Sequence, residues 1–467
     1  DASAAGSSRE RAIDALVRLR DVEAISLLKR LLGEASMRTA ALRALARFED
    51  EGTPAAVLAA WPSLSADERR LALRTLASRV AWARALLAAV EEGTVAREEV
   101  DASVVRALSQ LGDEELDARV REGWGVARDT AQEKRARLED LRARLTDAAL
   151  ADADLPRGRE VFSRTCLQCH TLFGVGGTVG PDLTGANRAD LGYVLENVVD
   201  PSATVGKDYL NTVVRTIDGQ VISGIQRQAT DSAITLVNET ETVTIARSEI
   251  EESRLSEVSA MPNGLLEGLP EAEVRDLVAY LRSPAQVPLL ATARNAGQLF
   301  NGKDLTGWSG ASCWGVEGDE IVGRTTGLAK NEFLVSCLVV RDFSLSIEVR
   351  LVGDDGNSGV QFRSRVLDGG DVAGYQADIG PGWWGKLYEE HGRGLLWDRS
   401  GEEHVTRDGW NTYEIVGEGA HVRTLINGKP CVDLEDAEGA RAGVIALQLH
   451  SGGPTEVRFR NLRLDVR

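Results

Sequence analysis

Residues 166–170 read Cys-Leu-Gln-Cys-His, and no other five residues constrain this chain as much. Two thiols at this spacing on a helix end can each bond one vinyl carbon of a haem, while the adjoining imidazole reaches the iron from the same side. Cys166 and Cys169 are therefore expected to attach one haem covalently, with His170 as an axial ligand. The competing assignment is a zinc knuckle. Zinc would need four Cys or His ligands in one compact unit, yet the next cysteine is Cys313 and the next histidine is His391.

The flanking residues fit the haem assignment. Pro156 to Phe162 reads as a short helix opened by proline, with Gly158 and Phe162 four apart on one face. Pro270 to Arg282 reads as a second helix with an apolar stripe at Val274, Leu277, Val278 and Leu281. Gly180-Pro181-Asp182-Leu183-Thr184-Gly185 makes a tight loop between them, and Ala260-Met261-Pro262 offers a thioether before the second helix. Of the two methionines, Met37 lies in a helical repeat, so Met261 is the expected sixth iron ligand. It follows His170 by 91 residues, because alternating segments at Tyr209–Ile217, Gln220–Gln228, Ser232–Asn238 and Glu241–Ile245, turned at Asp218-Gly219, predict a β insertion over about 207–255. Ligation by Met261 then requires the insertion to end close to where it begins. Cys-x-x-Cys-His, Gly180 to Gly185, Asp200-Pro201-Ser202, Asp218-Gly219 and Met261-Pro262-Asn263-Gly264-Leu265 together span residues 156–283. This pattern resembles haem-binding domains that follow HEAT repeats in large bacterial proteins, and it implies a cytochrome c-like helical domain.

Residues 1–150 carry an internal repeat. Leu16, Leu45, Leu76 and Leu108 sit in similar apolar-periodic segments separated by 29, 31 and 32 residues, a period that suits a helix pair. Breaks at Gly52-Thr53-Pro54, Pro62 to Ser65 and Gly112-Asp113 divide the helices, and the array resembles a HEAT-like α-solenoid, with a plain helical bundle as the alternative. No histidine or cysteine lies here, so a scaffold or docking role is the default. From Arg128 to Leu150 the residues are strongly charged, as in a solvated connecting helix.

A formal charge of −18 argues against nucleic acid or an anionic membrane as partner. No apolar run is long enough to span a bilayer. Haem attachment to Cys-x-x-Cys-His takes place outside the bacterial cytoplasm, so a periplasmic, surface or secreted location is expected, although this chain contains no signal segment. Cys313, Cys337 and Cys431 remain after haem attachment, an odd number that cannot form a complete disulfide framework.

Beyond a linker at 285–296 the composition changes, with six of the nine tryptophans after residue 300. Glycine-bounded alternating strands at Phe343–Leu351, Gly359–Val366, Tyr375–Ile379, Thr412–Val416, Val422–Ile426 and Gly443–His450 predict an all-β sandwich over 297–467. Strict alternation puts Gln361, Arg363, Gln376, Asp378, Gln448 and His450 on one face, the pattern of a polar groove if the strands share a sheet. Trp383 and Trp384 precede Lys386, Tyr388 and Glu390 and are expected to stack on sugar rings. A solvated sheet face is the plain alternative, but amides, a guanidinium and an imidazole gathered together favour a ligand site. Asp354-Asp355-Gly356-Asn357 is an acidic turn for which calcium binding is the minority assignment.

Leu299-Phe300-Asn301-Gly302-Lys303-Asp304-Leu305-Thr306-Gly307-Trp308, Gly356 to Arg363, Gly374 to Ile379, Trp410-Asn411-Thr412-Tyr413 and Phe459-Arg460-Asn461-Leu462 resemble the 3-keto-disaccharide hydrolase family. The resemblance spans residues 297–467 and implies a concanavalin-like jelly roll acting on sugars oxidised at C3. A C3 ketone acidifies the proton on C2, so a base can remove it and the enolate can expel the group on C1. On this basis His450 or Glu390 is the candidate base and Lys386, Tyr388 and Arg363 are candidate stabilisers, with Gln361, Gln376, Asp378 and Gln448 as sugar or divalent-metal contacts. The composite expectation is a multidomain α + β chain: solenoid at 1–150, haem domain at 151–284 and jelly roll at 297–467. It would join an exported electron carrier to a 3-keto-glycoside-cleaving domain, fed by a separate sugar dehydrogenase, because no dinucleotide-binding motif is present. A carbohydrate-binding module tethering a cytochrome is the alternative, and a structural surface protein with a haem sensor is a third.

Overall fold

A computed structural model describes residues 6–100, 102–124, 131–203, 205, 207–310 and 312–466. The chain forms two compact units, Asp1–Ala153 with Phe162–Ser283, and Asp154–Val161 with Pro284–Arg467.

The first unit opens with α1 (Gly6–Arg18), α2 (Ala24–Leu31), α3 (Arg38–Leu45), α4 (Thr53–Ala60), α5 (Ala66–Leu76), α6 (Val80–Glu91), α7 (Ala102–Gln110) and α8 (Glu114–Trp124). The odd-numbered helices pack on one another in series (α1 on α3, α3 on α5, α5 on α7) and the even-numbered ones do the same from α2 to α8. Two parallel layers of helices built from consecutive pairs make a solenoid rather than a closed bundle. The repeat leucines explain the stacking, since Leu45, Leu76 and Leu108 have no exposure and Leu16 packs against the same core. Ser65 and Glu68 close a reciprocal capping box at the start of α5, which fixes where that helix begins after the proline break.

The charged connecting segment forms α9 (Ala131–Arg144) and α10 (Asp147–Ala151), with residues 128–130 outside the described range. Next come α11 (Leu155–Thr165), the short hairpin β1 (Thr171–Leu172) and β2 (Val175–Gly176), α12 (Leu191–Val199) and, after the insertion, α13 (Glu271–Arg282). The insertion is a five-stranded antiparallel sheet of β3 (Leu210–Thr216), β4 (Val221–Ala229), β5 (Ala233–Val237), β6 (Thr242–Ala246) and β7 (Ile250–Ser259), ordered β6-β5-β4-β3-β7. Its last strand extends the expected insertion to Ser259. Only Ile250, Leu255 and Val258 are apolar in β7, and Leu255 is exposed, so the strand has no alternating pattern and is held by its ladder to β3. That ladder pairs Leu210 with Ser259, so the insertion ends beside its own beginning.

The expected boundary at 150 does not separate two bodies. Arg79 on the solenoid donates to the Asp218 carbonyl at 2.7 Å and to its carboxylate at 3.2 Å. Arg20 pairs with Glu249 at 2.7 Å, Arg47 with Glu241 at 3.6 Å, and Arg74 with Glu239. Val221 N–H also donates to Ser78 C=O at 3.0 Å, so the insertion is hydrogen-bonded and charge-paired along the helical array.

The second unit contains β8 (Leu289–Leu290), β9 (Trp308–Ser309), β10 (Trp314–Glu317), β11 (Glu320–Thr325), β12 (Glu332–Val340), β13 (Phe343–Leu351), β14 (Ser358–Val366) and β15 (Val372–Ile379). These are followed by β16 (Leu387–Glu390), β17 (Gly394–Trp397), β18 (Asn411–Glu418), β19 (His421–Ile426), β20 (Lys429–Glu435), β21 (Gly443–Leu449) and β22 (Thr455–Val466). One sheet runs β10-β11-β22-β13-β18-β19-β20 and the other β17-β16-β15-β14-β21-β12-β8, with β9 paired to β12. Their facing sides meet through Leu345, Ile347, Phe362, Tyr375, Leu447 and Phe459, all without exposure, which makes an all-β sandwich. Residues 285–296 are not a free linker. Leu289 and Leu290 add a parallel edge strand to β12, and Ala291 N–H donates to Val339 C=O at 2.8 Å.

Candidate functional site

Around Cys166–His170 the backbone leaves α11 in a tight turn, with Cys169 and His170 N–H both donating to the Cys166 carbonyl at 3.1 and 3.0 Å. Neither cysteine is in a disulfide. His170 Nδ1 lies 2.9 Å from the Pro181 carbonyl; that oxygen can only accept, so Nδ1 carries the proton and Nε2 keeps its lone pair. Burial lowers the imidazole pKa, which keeps it neutral at neutral pH. A Cβ on Gly180 would come within 2.6 Å of the ring, so the Gly180-Pro181 loop cradles the imidazole edge. Burial pushes the Cys166 thiol up to about 11, unlike a reactive thiolate.

The second helix joins this loop through aromatic rings, with Tyr280 of α13 edge-on to Phe162 at 5.6 Å and to Phe173 at 6.5 Å. Arg188 donates to the Leu281 and Ser283 carbonyls at 2.6 and 2.8 Å and to Leu183 C=O at 2.8 Å, tying the end of α13 to the Gly180–Gly185 loop. Met261 is half-buried just past β7, its N–H donating to Ser259 Oγ at 3.1 Å; Ser259 N–H in turn donates to Ser202 Oγ at 3.1 Å. The residues present suit a haem: two unbridged thiols at the attachment spacing, an imidazole with its second nitrogen already satisfied, and a glycine cradle beside it. Among the described residues no group of three His, Cys, Asp or Glu is placed to hold a bare metal ion.

On the sandwich, the polar side chains of β14, β15 and β21 share the face turned away from the other sheet. Register puts Asp378 and Gln448 on either side of Gly359, with Gln361 opposite Gln376 in the next row and Tyr388 beside Gln376. Lys386 C=O accepts the Asp378 N–H at 3.2 Å, which places Lys386 at the end of the Asp378 row. The groove is not wet, since Gln361, Gln376, Asp378 and Gln448 are each at most 3 % exposed. Gln376 Nε2 donates to Asp378 Oδ1 at 2.7 Å, Gln361 Nε2 to Gln376 Oε1 at 2.9 Å, and Ser364 Oγ to Gln361 Oε1 at 2.9 Å. Asp378 Oδ2 and both amide atoms of Gln448 are buried without a partner. Burial and the Glu390 charge push the Asp378 carboxyl up to about 7, against the lowering effects of Gln376 and Lys386.

The remaining candidates separate. Trp383 is 39 % exposed and edge-on to Tyr388 at 6.3 Å, with Lys386 Nζ 5.4 Å above its ring and 2.6 Å from Asp398. Burial raises the Glu390 carboxyl, with His450 among the charges that lower it, so the two lie within electrostatic reach. His450 is exposed, and its Nδ1 contacts Ser451 C=O at 2.7 Å.

Two expectations require correction. Arg363 leaves the polar face because β14 bulges there: with φ of 46° it breaks the alternation, and it is buried with hydrogen bonds to Arg341 C=O, Gly419 C=O and Asp342. Trp384 is 2 % exposed and belongs to the sandwich core, because it lies in a tight turn, where the Gly380 carbonyl accepts both the Trp383 and the Trp384 N–H, and not in an alternating strand. Ser364 was missed because only the same bulge brings its hydroxyl to Gln361.

Residues 295–465 match a family model described as a 3-keto-alpha-glucoside-1,2-lyase-like domain, and residues 8–34 match a PBS lyase HEAT-like repeat. No curated protein matches the chain. Among solved structures, a putative glycosyl hydrolase from Parabacteroides distasonis is 18 % identical, covering 38 % of this chain and 98 % of its own, with a TM-score of 0.29. A carbohydrate-binding module from Bacillus subtilis is 16 % identical, covering 35 % and 97 %, with a TM-score of 0.28. The chain thus carries a HEAT-like repeat and a 3-keto-disaccharide hydrolase-like jelly-roll domain. No described helix is long and apolar enough to cross a membrane.

Proposed function

We propose that this chain is an exported c-type cytochrome joined to a domain that cleaves 3-keto-glycosides by elimination across C1 and C2. The observation that carries the sugar half is the buried, unpartnered Asp378 Oδ2 and Gln448 amide on the outer face of a domain that matches a lyase-like family. Buried polar groups are nearly always satisfied, so such a pair indicates a ligand with hydroxyl and carbonyl groups of its own. A 3-keto-glycoside supplies both, and its ketone makes the C2 proton removable without a strong glycosidase acid pair.

For the other half, Cys166 and Cys169 would hold the haem through thioethers, and His170, fixed by Pro181, would present Nε2 to the iron. When bound, the haem supplies one-electron transfer, which suits electrons released when a separate dehydrogenase oxidises a sugar at C3. Met261 is the proposed second axial ligand, and the pairing of β3 with β7 is what returns it toward the start of the insertion.

The test uses the full-length protein matured with haem. It should release the aglycone from a 3-keto-glucoside and leave the parent glucoside intact; equal cleavage of both would exclude elimination. A second reading, sugar binding without turnover, draws on exposed Trp383 beside Tyr388 and is the outcome if both sugars bind and neither is cleaved. Haem should stay with the protein through acid-acetone extraction, and extractable haem would remove the cytochrome half.

A further inference from the structure

Resting on the elimination reading, we propose that Asp378 is the catalytic base that takes the C2 proton, aimed by a relay through Gln376, Gln361 and Ser364. Asp378 Oδ1 is held by Gln376 at 2.7 Å, and Gln376 cannot rotate freely because its own oxygen accepts from Gln361 at 2.9 Å. Gln361 is locked in turn by Ser364 Oγ at 2.9 Å. The relay engages the nitrogen and the oxygen of both Gln361 and Gln376, and with each at most 3 % exposed they act as positioning residues. It leaves Oδ2 buried and unpartnered in the same row as the unpartnered Gln448 amide, two strands or about 10 Å away, with the Gln376 side chain lying over Gly359 between them, so a sugar that engages both must span that side chain. A base oriented by a second group that is itself oriented is the arrangement proton abstraction needs.

The other candidate bases fit less well. His450 is exposed with Nδ1 on its neighbour's carbonyl, and Glu390 stands two rows from Asp378, opposite Gly374. In the proposed step Asp378 Oδ2 takes the C2 proton, and the C–H electron pair forms the C2=C3 enolate, whose oxygen accepts a hydrogen bond from Gln448 Nε2. The enolate then collapses. C3=O re-forms, C1=C2 forms, the C1–O bond breaks, and the leaving oxygen takes a proton from water while Asp378 returns its own to the hydroxide left behind. The products are an unsaturated 3-keto sugar and the free alcohol, with no change in oxidation state overall.

The groups facing the Asp378 carboxyl are Lys386 just before β16, Glu390 on β16, Gln376 on its own strand and Gln448 on β21, while the Tyr413 hydroxyl of the opposite sheet reaches only its backbone carbonyl, at 3.4 Å. With these neighbours the acid limb of kcat is expected near the value of about 7 to which the carboxyl is pushed.

The experiment compares wild-type, Asp378→Asn and Gln361→Ala full-length proteins on a 3-keto-glucoside in D2O, reading deuterium at C2 of the recovered substrate, aglycone release and calorimetric binding. Asp378→Asn should lower kcat by about 10²–10⁴-fold while still binding the sugar. Gln361→Ala should move the acid limb to higher pH, because Gln376, freed to rotate, no longer favours the ionised carboxylate; a purely structural role would lower kcat without moving the limb. No turnover by the wild type would overturn the elimination reading itself. An active wild type with Asp378→Asn within tenfold of it would overturn only the assignment of the base. If Asp378→Asn does not fold, an unmoved acid limb in Gln361→Ala overturns the proposal.

Discussion

Asp378 is both the least comfortable and the most useful residue of the sandwich. Its carboxyl is 2 % exposed and is pushed from 3.8 to about 7, with burial as the largest cause. The folded protein therefore favours the protonated form more than the unfolded chain does, so stability is full below about pH 4, falls as pH rises, and has lost this contribution above about pH 7. Asp378→Asn, which stays neutral and keeps an acceptor for Gln376, should match wild type in urea unfolding near pH 4 and exceed it by a few kcal/mol, roughly, at pH 8. A constant difference across that range would mean the carboxyl is not buried as described. Gly180 poses a packing question at the same scale. Since a Cβ there would lie 2.6 Å from the imidazole, Gly180→Ala should displace His170, disturb the absorbance spectrum of the haem proposed there and cost about 1–3 kcal/mol. An unaltered spectrum and stability would show that the loop gives way instead of the ring.

Among the elements, the insertion is held by contacts of unequal weight. Arg79 is buried and grips the Asp218 turn through two hydrogen bonds, whereas Arg20 is exposed and Glu249 only half-buried. Breaking the buried contact leaves polar groups unpaired, so Arg79→Ala should destabilise the first unit by about 3 kcal/mol, while Arg20→Ala should cost roughly 0.5 kcal/mol or less. Urea titration followed by circular dichroism would separate them, and equal small effects would mean that the insertion is held mainly by apolar packing. The β insertion also marks where sequence patterning stopped working. Four strands alternate and were legible, but β7 carries Glu251, Glu252, Arg254 and Glu257 among few apolar residues. Its pairing with β3 is a long-range hydrogen-bonding choice that no local period records.

For the molecule as a whole, the sandwich core and the solenoid core share no residues, and calorimetry should therefore resolve two transitions. Replacing Cys166 and Cys169 by serine should lower one transition and leave the other in place. A single transition that moves as a whole would contradict two units with separate cores. The chain's domains were legible in proportion to how local their signals are. The helix pairs, the Cys-x-x-Cys-His unit and the alternating sandwich strands all follow from residues near one another, whereas the body formed by solenoid and insertion depends on four arginines of the helical array, three of them between helices, meeting acidic residues more than a hundred positions away.

From the sequence alone come the helical array, the all-β sandwich, the Cys-x-x-Cys-His pentapeptide and a set of polar residues on one strand face, because periodicity and motif spacing are properties of the covalent chain. The tertiary structure decided which of those polar residues meet. A bulge at Arg363 turned the guanidinium inward and brought Ser364 onto Gln361, and strand register put Asp378 and Gln448 in one row across Gly359. It also closed β7 on β3 and absorbed the 285–296 segment into a sheet edge. Bulges, register and burial are set by hydrogen bonds and packing between segments remote in sequence, so alternation could name the residues of the site but not their partners.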